Sequence, residues 1–207
     1  MPVIWRRVVI FFVSLVPLAV LFYKAATNHL GVDPQKAVVL FVGTWAFYFL
    51  LITLSVSPSK KIARQAWLMP HRRMLGLFTL FYALLHMIAY FVFILALDFS
   101  SFGAELIKRP YILLTIPAII LLIILGITST KAMMRKLGKN WVKLHRSIYL
   151  VALLAWVHVL LQVRSSYADA VLFGLLTLAL LGVRFYWWLQ KKSQIQVLYG
   201  KDLSRRQ

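Results

Sequence analysis

Long apolar runs separated by short polar segments make up almost the whole chain. Six of the runs are about 20 residues long, which matches the roughly 30 Å hydrocarbon thickness of a bilayer. Nearly every run is apolar on all sides, which argues against the one-sided helices of a water-soluble protein. We therefore predict an all-α polytopic membrane protein, a six-helix bundle forming one domain over residues 1–207. The predicted spans are residues 8–23, 37–56, 74–97, 110–130, 147–163 and 170–189.

Local signals set the ends of several runs. The pair Asp33–Pro34 is typical of a helix N-terminus with proline at the first helical position. The pair Ser57–Pro58 is expected to end the second span, and Pro117 to kink the fourth. Arg184, late in the sixth span, is expected to extend toward the nearby interface. The first run lacks a small-residue cleavage site, so we expect it to remain as a span.

The charged residues favour one orientation in the membrane. The chain carries 24 Lys and Arg against five acidic residues, a net charge of +19. Most basic residues lie at the N-terminus, after spans two and four, and in the C-terminal tail, whereas most acidic residues lie in the other loops. The positive-inside rule therefore predicts that both termini are cytoplasmic. Basic clusters flanking apolar runs also argue against nucleic-acid binding.

Two histidines lie inside apolar spans at the same depth. His86 is 12 residues beyond Met74 in the third span, and His158 is 11 beyond Ser147 in the fifth. The two spans run in the same direction, so both histidines lie about 17–18 Å from the cytoplasmic boundary. Such side chains are costly inside a membrane and by default mark a functional site. Two imidazoles at one depth suit the axial positions of haem, so we predict haem between the third and fifth helices.

These two histidines are also compatible with different roles. A histidine in a membrane span also occurs as a hydrogen-bond partner of a neighbouring helix. A small transporter could use the same pair to relay protons or bind a metal ion. The chain has no cysteine, which excludes disulfides, thiolate metal sites, iron–sulfur clusters and covalently attached c-type haem. A haem in this chain would therefore be b-type, held by coordination and packing alone.

A second group of candidate ligands lies at the cytoplasmic ends of the same two spans. His145 lies at the depth of Arg72 and Arg73, about 20 Å from the two interior histidines. Its 13-residue spacing from His158 turns it off the same helix face, so we expect either a kink near His145 or a ring that reaches around the helix. Arginine keeps its proton, so Arg72 and Arg73 are expected to pair with haem propionates or lipid phosphates. His71 is an alternative ligand here, although a solvated interfacial position is the simpler expectation.

Five segments carry a family resemblance: Arg72–Leu77, Leu84–Tyr90, Lys108–Tyr111, Thr128–Ala152 and His158–Leu161. They resemble the MsrQ family, the haem-binding membrane subunits of the bacterial protein-methionine-sulfoxide reductase system. This family belongs to the ferric-reductase-like transmembrane superfamily. The resemblance covers nearly the whole chain, and the segment that begins at Thr128 is its most specific part.

The resemblance implies an electron-transfer subunit of an oxidoreductase system. It implies transfer across the bacterial inner membrane to MsrP, a periplasmic molybdopterin enzyme that reduces methionine sulfoxide in oxidised proteins. It also implies haem b, one or two per chain, with His86 and His158 as iron ligands and His145 at the inner level. FMN is a further cofactor in descriptions of the family, and no motif identifies residues that would bind it.

The direct electron donor is expected to be another molecule, a cytosolic flavin reductase or a membrane quinol. Only about 17 residues follow the sixth span, fewer than a flavin domain needs. The outer loops are also short, so this chain is not expected to reduce the sulfoxide itself. Two alternatives stay open: a self-contained haem reductase that uses quinol or reduces ferric iron, and the non-redox transporter.

Overall fold

The computed structural model describes residues 3–163 and 167–204, with side chains described as far as residue 193. Arg164, Arg205 and Arg206, which contribute to the predicted charge asymmetry, lie outside the described residues. In the described part, every regular element is helical. The α-helices are α1 Val3–Ala26, α2 Pro34–Ile62, α3 Arg72–Ala89, α4 Phe102–Lys108, α5 Thr115–Ile127, α6 Lys131–Leu137, α7 Lys139–His145, α8 Ile148–Gln162 and α9 Ala168–Ser204.

Short 3-10 and π segments join or extend these helices. They are the 3-10 segments Ala66–His71, Phe99–Ser101 and Pro110–Ile112 and the π segment Tyr90–Ile94. The helical stretches that are long and apolar enough to cross a bilayer are Val3–Ala26, Pro34–Ile62, Ala66–Ile94, Pro110–Ile127, Lys139–Gln162 and Ala168–Ser193. The predicted all-α architecture with six membrane spans is therefore confirmed.

The ends of the spans differ from prediction in informative ways. The third span ends at Ile94 instead of residue 97, because Ala96 and Leu97 have positive φ angles of 52° and 62°. In the fourth span, α5 begins at Thr115, so Pro117 lies in the first helical turn. The N–H groups of a first turn have no partner within the helix, so a proline there removes no hydrogen bond. The helix is interrupted where either a kink or a reaching ring was expected, because α7 ends at His145 and α8 begins at Ile148.

Pro58 lies inside α2, so the prediction that the helix stops at this proline was wrong. Proline has no N–H, and therefore cannot donate to the carbonyl of Leu54, four residues earlier. Arg184 on α9 supplies the missing donor, because its guanidinium bonds to the Leu54 carbonyl oxygen and, at 2.7 Å, to that of Leu180. The Tyr149 ring lies 5.3 Å from the same guanidinium. Arg184 thus points into the bundle, contrary to the expectation that it extends to the interface.

The central helix of the bundle is α2. It packs chiefly against α3 and also contacts α1, α8 and α9. Its aromatic side stacks Phe49 on Phe78 and Tyr82 of α3, with ring centroids 5.5 and 5.2 Å apart. Its other side joins α5 and α8 in a second apolar cluster. That cluster contains Leu50, Leu54, Leu122, Leu125, Ile148, Val151 and Ala152.

The packing leaves α3 and α8 facing each other across the interior. Both α2 and α5 pack against each of these two helices and hold them in place. The outward sides of the spans expose large apolar side chains, such as Phe12, Phe22 and Leu175. This arrangement, with backbone bonds made within helices and apolar side chains outside, is what a hydrocarbon environment requires.

The two ends of the bundle differ in charge. We call the end where α1 begins the basic end; it carries Arg6, Arg7, Lys60, Lys61, Arg72, Arg73 and the basic residues of α6 and α7. The opposite end carries Asp33, Asp98 and Glu105. The ion pairs of the described residues lie there, joining Glu105 to Arg109 at 3.0 Å and to Lys108 at 3.9 Å.

Replacing Arg184 with Met should destabilise the bundle by about 2 kcal/mol, because the Leu54 carbonyl then lacks a donor in an apolar environment. In a Pro58→Ala background the loss should fall below about 1 kcal/mol, since the N–H regained at position 58 can bond to Leu54. Unfolding of the purified variants in mild detergent measures both losses. Lys191→Met, which removes an exposed cation from the same helix, serves as the control. Equal losses in the two backgrounds would contradict this pairing.

Candidate functional site

The structure brings His86 of α3 and His158 of α8 together in the bundle interior. Their ring centroids are 6.3 Å apart and their planes are inclined at 79°. Both side chains are half-buried. The match in depth between the two histidines therefore corresponds to a direct juxtaposition of their rings.

The His86 ring is oriented by a backbone carbonyl of α2. Its Nδ1 lies 2.9 Å from the carbonyl oxygen of Val39, which can only accept, so Nδ1 carries the proton and Nε2 the lone pair. Gly43 permits this close approach. A Cβ at that position would lie 2.7 Å from Nδ1 and 2.9 Å from Cε1 of His86. Glycine is required here by the space that the imidazole occupies.

The His158 ring is oriented in the same way from the other side of the bundle. Its Nδ1 lies 3.0 Å from the carbonyl oxygen of Tyr111, and the Tyr111 ring centroid lies 5.5 Å from its own. Tyr111 belongs to the 3-10 segment Pro110–Ile112 that precedes α5. The second histidine therefore also presents Nε2 as its coordinating atom.

The separation of the two rings would suit two imidazoles that bind one metal ion through Nε2. With metal–imidazole bonds of about 2 Å, two trans ligands place their ring centres about 6 Å apart. The observed separation of 6.3 Å agrees with this value. The described residues contain no group of three or more His, Cys, Asp or Glu side chains able to hold a metal ion. Two axial imidazoles suit haem, in which the porphyrin supplies the other four ligands.

His145 lies in a different environment at the basic end. Its Nε2 is 3.1 Å from the hydroxyl of Thr128, and its ring stacks on Trp141 with centroids 4.0 Å apart. Trp141 in turn donates from Nε1 to the Thr128 carbonyl at 2.9 Å. Arg72 lies close enough to interact electrostatically with His145 and with Arg184. The ring partner of His145 is thus a tryptophan, and the surrounding charges are cationic.

The other predicted inner residues point in separate directions. Arg73 donates to the Ser129 carbonyl at 3.2 Å and lies 3.0 Å from the Met134 sulfur, which ties α3 to the segment after α5. His71 is only 1% exposed, and neither of its ring nitrogens has a hydrogen-bond partner. The solvated position expected for His71 is therefore not what the structure shows.

Sequence reasoning missed the groups that orient the two interior histidines. Both acceptors, at Val39 and Tyr111, are backbone carbonyls, which any residue could supply and no motif reveals. Gly43 did leave a signal, because it is the one glycine within the bulky apolar run of residues 37–56. A lone glycine in such a run often marks a close approach by another group.

Comparison with known proteins adds independent findings. The family described as ferric reductase like transmembrane component matches residues 42–156. A relative from Herminiimonas arsenicoxydans is 36% identical over 194 residues, which cover 92% of this chain and 89% of the relative. Relatives from Klebsiella pneumoniae subsp. pneumoniae and Salmonella paratyphi B are 37% and 39% identical, over 90% and 89% of this chain and 95% of each relative. All three are named protein-methionine-sulfoxide reductase heme-binding subunit MsrQ. No solved structure matches the chain.

Replacing Gly43 with Ala should displace the His86 ring and break its bond to Val39, because the new methyl group would occupy the position of the imidazole. Nitrogen-15 NMR of the histidine-labelled protein measures the change, since the His86 Nδ1 signal reports its hydrogen bond. Gly76→Ala is the matched control, because a Cβ there meets Thr53 at an ordinary 3.6 Å. An unchanged His86 signal in Gly43→Ala would show that the ring is not held against α2.

Proposed function

This chain belongs to the MsrQ family, within the ferric reductase like transmembrane component family, and we propose that it is a haem b subunit carrying electrons across the bacterial inner membrane. The recipient is MsrP, the periplasmic molybdopterin enzyme that reduces methionine sulfoxide in oxidised proteins. The observation that carries the proposal is the pair His86–His158, with ring centroids 6.3 Å apart and both Nδ1 atoms bonded to carbonyls. The names of the relatives support haem as the group that this pair binds.

The residues of this chain act by orienting the two imidazoles that would bind the iron. When bound, haem supplies reversible one-electron chemistry. The carbonyls of Val39 and Tyr111 fix the tautomer of each imidazole and strengthen it as a ligand. His86 and His158 would hold the haem, and two protein ligands on its iron would suit electron transfer rather than bond-making chemistry. The chain is thus an electron-transfer subunit and does not carry the sulfoxide-reducing site.

We place a second haem at the basic end, with His145 as its protein ligand. The Nε2 of His145 is bonded only to a neutral hydroxyl, that of Thr128, which a metal ion can replace. Arg72 and Arg184 bring cationic charge to the same region without an acidic partner among the described residues. Haem propionates would neutralise these guanidinium groups. We assign no described residue to FMN.

The proposed orientation follows from the charges of the two ends. The basic end faces the cytoplasm by the positive-inside rule, so both termini lie there. Electrons enter at this end from a cytosolic flavin reductase or from membrane quinol. They leave at the opposite end, where Tyr111 holds His158 and the acidic loop residues face the periplasm. MsrP would dock on that side.

The purified chain should show a b-type haem spectrum that depends on the two interior histidines. His86→Ala and His158→Ala should each lose the haem between α3 and α8, because one imidazole leaves an axial position unfilled. Reduced-minus-oxidised spectra and pyridine-haem quantification measure the loss. His29→Ala removes a histidine from the loop between α1 and α2 and serves as the control. A colourless wild-type protein, after expression with ample haem, would contradict the proposal and favour the transporter.

His145→Ala should lower the haem content from two per chain to one and leave the His86–His158 spectrum intact. The reason is that the second haem would lose its only imidazole ligand. The haem-to-protein ratio of each purified variant measures this loss. Thr128→Val is the comparison variant, because it removes the hydroxyl bonded to the His145 Nε2 but keeps the ring. One haem per chain in the wild type would exclude the second haem, and two in both wild type and His145→Ala would exclude His145 as its ligand.

A further inference from the structure

An apolar groove runs along one side of the bundle between α1, α2 and α3. It has a volume of about 460 Å³, and its lining residues include Val13, Pro17, Trp45, Phe49 and Leu75. Val13 is itself 61% exposed, so the groove reaches the lipid-facing surface of α1. A groove of this kind accepts a hydrocarbon chain and offers almost nothing to a polar ligand.

The basic end of this groove has a different chemistry. His71 lies one helical turn from Leu75 and therefore on the same side of the third span as the groove. The Trp67 ring centroid lies 6.5 Å from that of His71, and the Arg6 guanidinium lies 5.8 Å from the centre of the Trp67 ring. Arg7 is also near enough to act electrostatically on His71. The side chains of His71, Arg6 and Arg7 thus gather where the groove meets the membrane boundary.

This cluster lacks an acceptor. Both ring nitrogens of His71 are buried and unpartnered, which is costly and unusual in a folded protein. Neither Arg6 nor Arg7 has an ion-pair partner among the described residues, whose ion pairs all involve Glu105 at the opposite end. Trp67, whose ring lies edge-on to that of His71, is 45% exposed, so the cluster adjoins the surface of the bundle. A bound anion would satisfy all three side chains at once.

We propose that this groove is a specific site for one anionic phospholipid. One acyl chain lies in the groove, and the headgroup phosphate accepts hydrogen bonds from Arg6, Arg7 and His71. Phosphate is favoured over a neutral headgroup because two arginines without acidic partners adjoin the unpartnered histidine. The lipid site uses Arg6, Arg7 and His71, whereas the second haem is assigned to His145, Arg72 and Arg184. The two proposals therefore rest on different side chains.

The experiment uses the full-length chain in nanodiscs that contain equal amounts of phosphatidylglycerol and phosphatidylcholine with the same acyl chains. Native mass spectrometry then identifies the lipid retained by each variant. We expect the wild type to retain phosphatidylglycerol over phosphatidylcholine with a preference of about ten-fold. This ratio corresponds to the free energy of about one charge-assisted hydrogen bond. The preference should disappear in His71→Phe and in the double variant Arg6→Gln/Arg7→Gln.

Two further variants separate this site from general basicity. Arg135→Gln/Lys136→Gln removes the same charge from α6 and should keep the preference. Val13→Trp fills the groove without changing any charge and should lose the retained lipid. Haem content and gel filtration check the folding of every variant. If His71→Phe fails that check, Val13→Trp and the Arg6/Arg7 double variant still decide the question.

Several results would overturn the proposal. Equal retention of the two lipids by the wild type, or an unchanged preference in the Arg6/Arg7 double variant, would exclude a selective headgroup site. Retention of phosphatidylglycerol by Val13→Trp, with displacement by glycerol phosphate alone, would indicate a site for free phosphate. Displacement of the lipid by a small excess of an isoprenoid quinone would indicate that the groove serves a neutral redox amphiphile instead.

Discussion

Backbone carbonyls inside an apolar bundle orient the two histidines of the candidate site. In hydrocarbon, a polar group that lacks a partner costs several kcal/mol, so each free lone pair attracts a donor. Several carbonyls in the described part of the bundle receive side-chain donors from another segment, and three of them bear most directly on the candidate site and the central helix. Val39 and Tyr111 receive the imidazoles of His86 and His158, and Leu54 receives Arg184. The first two interactions build the candidate metal site, and the third closes the gap that a proline opens in the central helix.

The two hydrogen bonds from the imidazoles orient the rings so that each keeps one nitrogen for metal coordination. A histidine in a membrane span usually satisfies its polar atoms on neighbouring helices, and these two do so through Nδ1 only. Each Nε2 is left over, and the helices that carry them face each other across the interior with α2 and α5 on either side. The chain belongs to the MsrQ family, and relatives of this family are named heme-binding subunits. The proposal that His86 and His158 hold haem for electron transfer joins that name to this geometry.

Much of this arrangement could be predicted from the sequence, because bilayer thickness and charge asymmetry limit the architecture strongly. The six spans and the common depth of His86 and His158 followed from the length of the apolar runs and the rise of a helix. The break in the helix after His145 lies where its 13-residue spacing from His158 indicated either a kink or a reaching ring. The contribution of Val39 and Tyr111 could not be predicted, because a carbonyl acceptor has no residue signature. Only the lone Gly43 hinted at one of them.

The errors have a common physical cause. Pro58 was expected to end α2, and Arg184 was expected to extend toward the nearby interface. Each residue, taken alone, favours the outcome expected of it. Together they compensate, since the arginine supplies the donor that the proline lacks. His71 was expected to be solvated, yet it is buried, with the ring of Trp67 edge-on to its own. Such pairings depend on tertiary contacts between distant segments, which a single sequence does not display.

Electron paramagnetic resonance of the oxidised, purified chain tests the central claim most directly. Two imidazoles on one ferric haem give a low-spin signal, and planes inclined at 79° predict the highly anisotropic form typical of nearly perpendicular ligands. That signal should vanish in His86→Ala and in His158→Ala. A purely high-spin signal in the wild type, or a low-spin signal that survives both substitutions, would contradict the claim that these two histidines hold the haem.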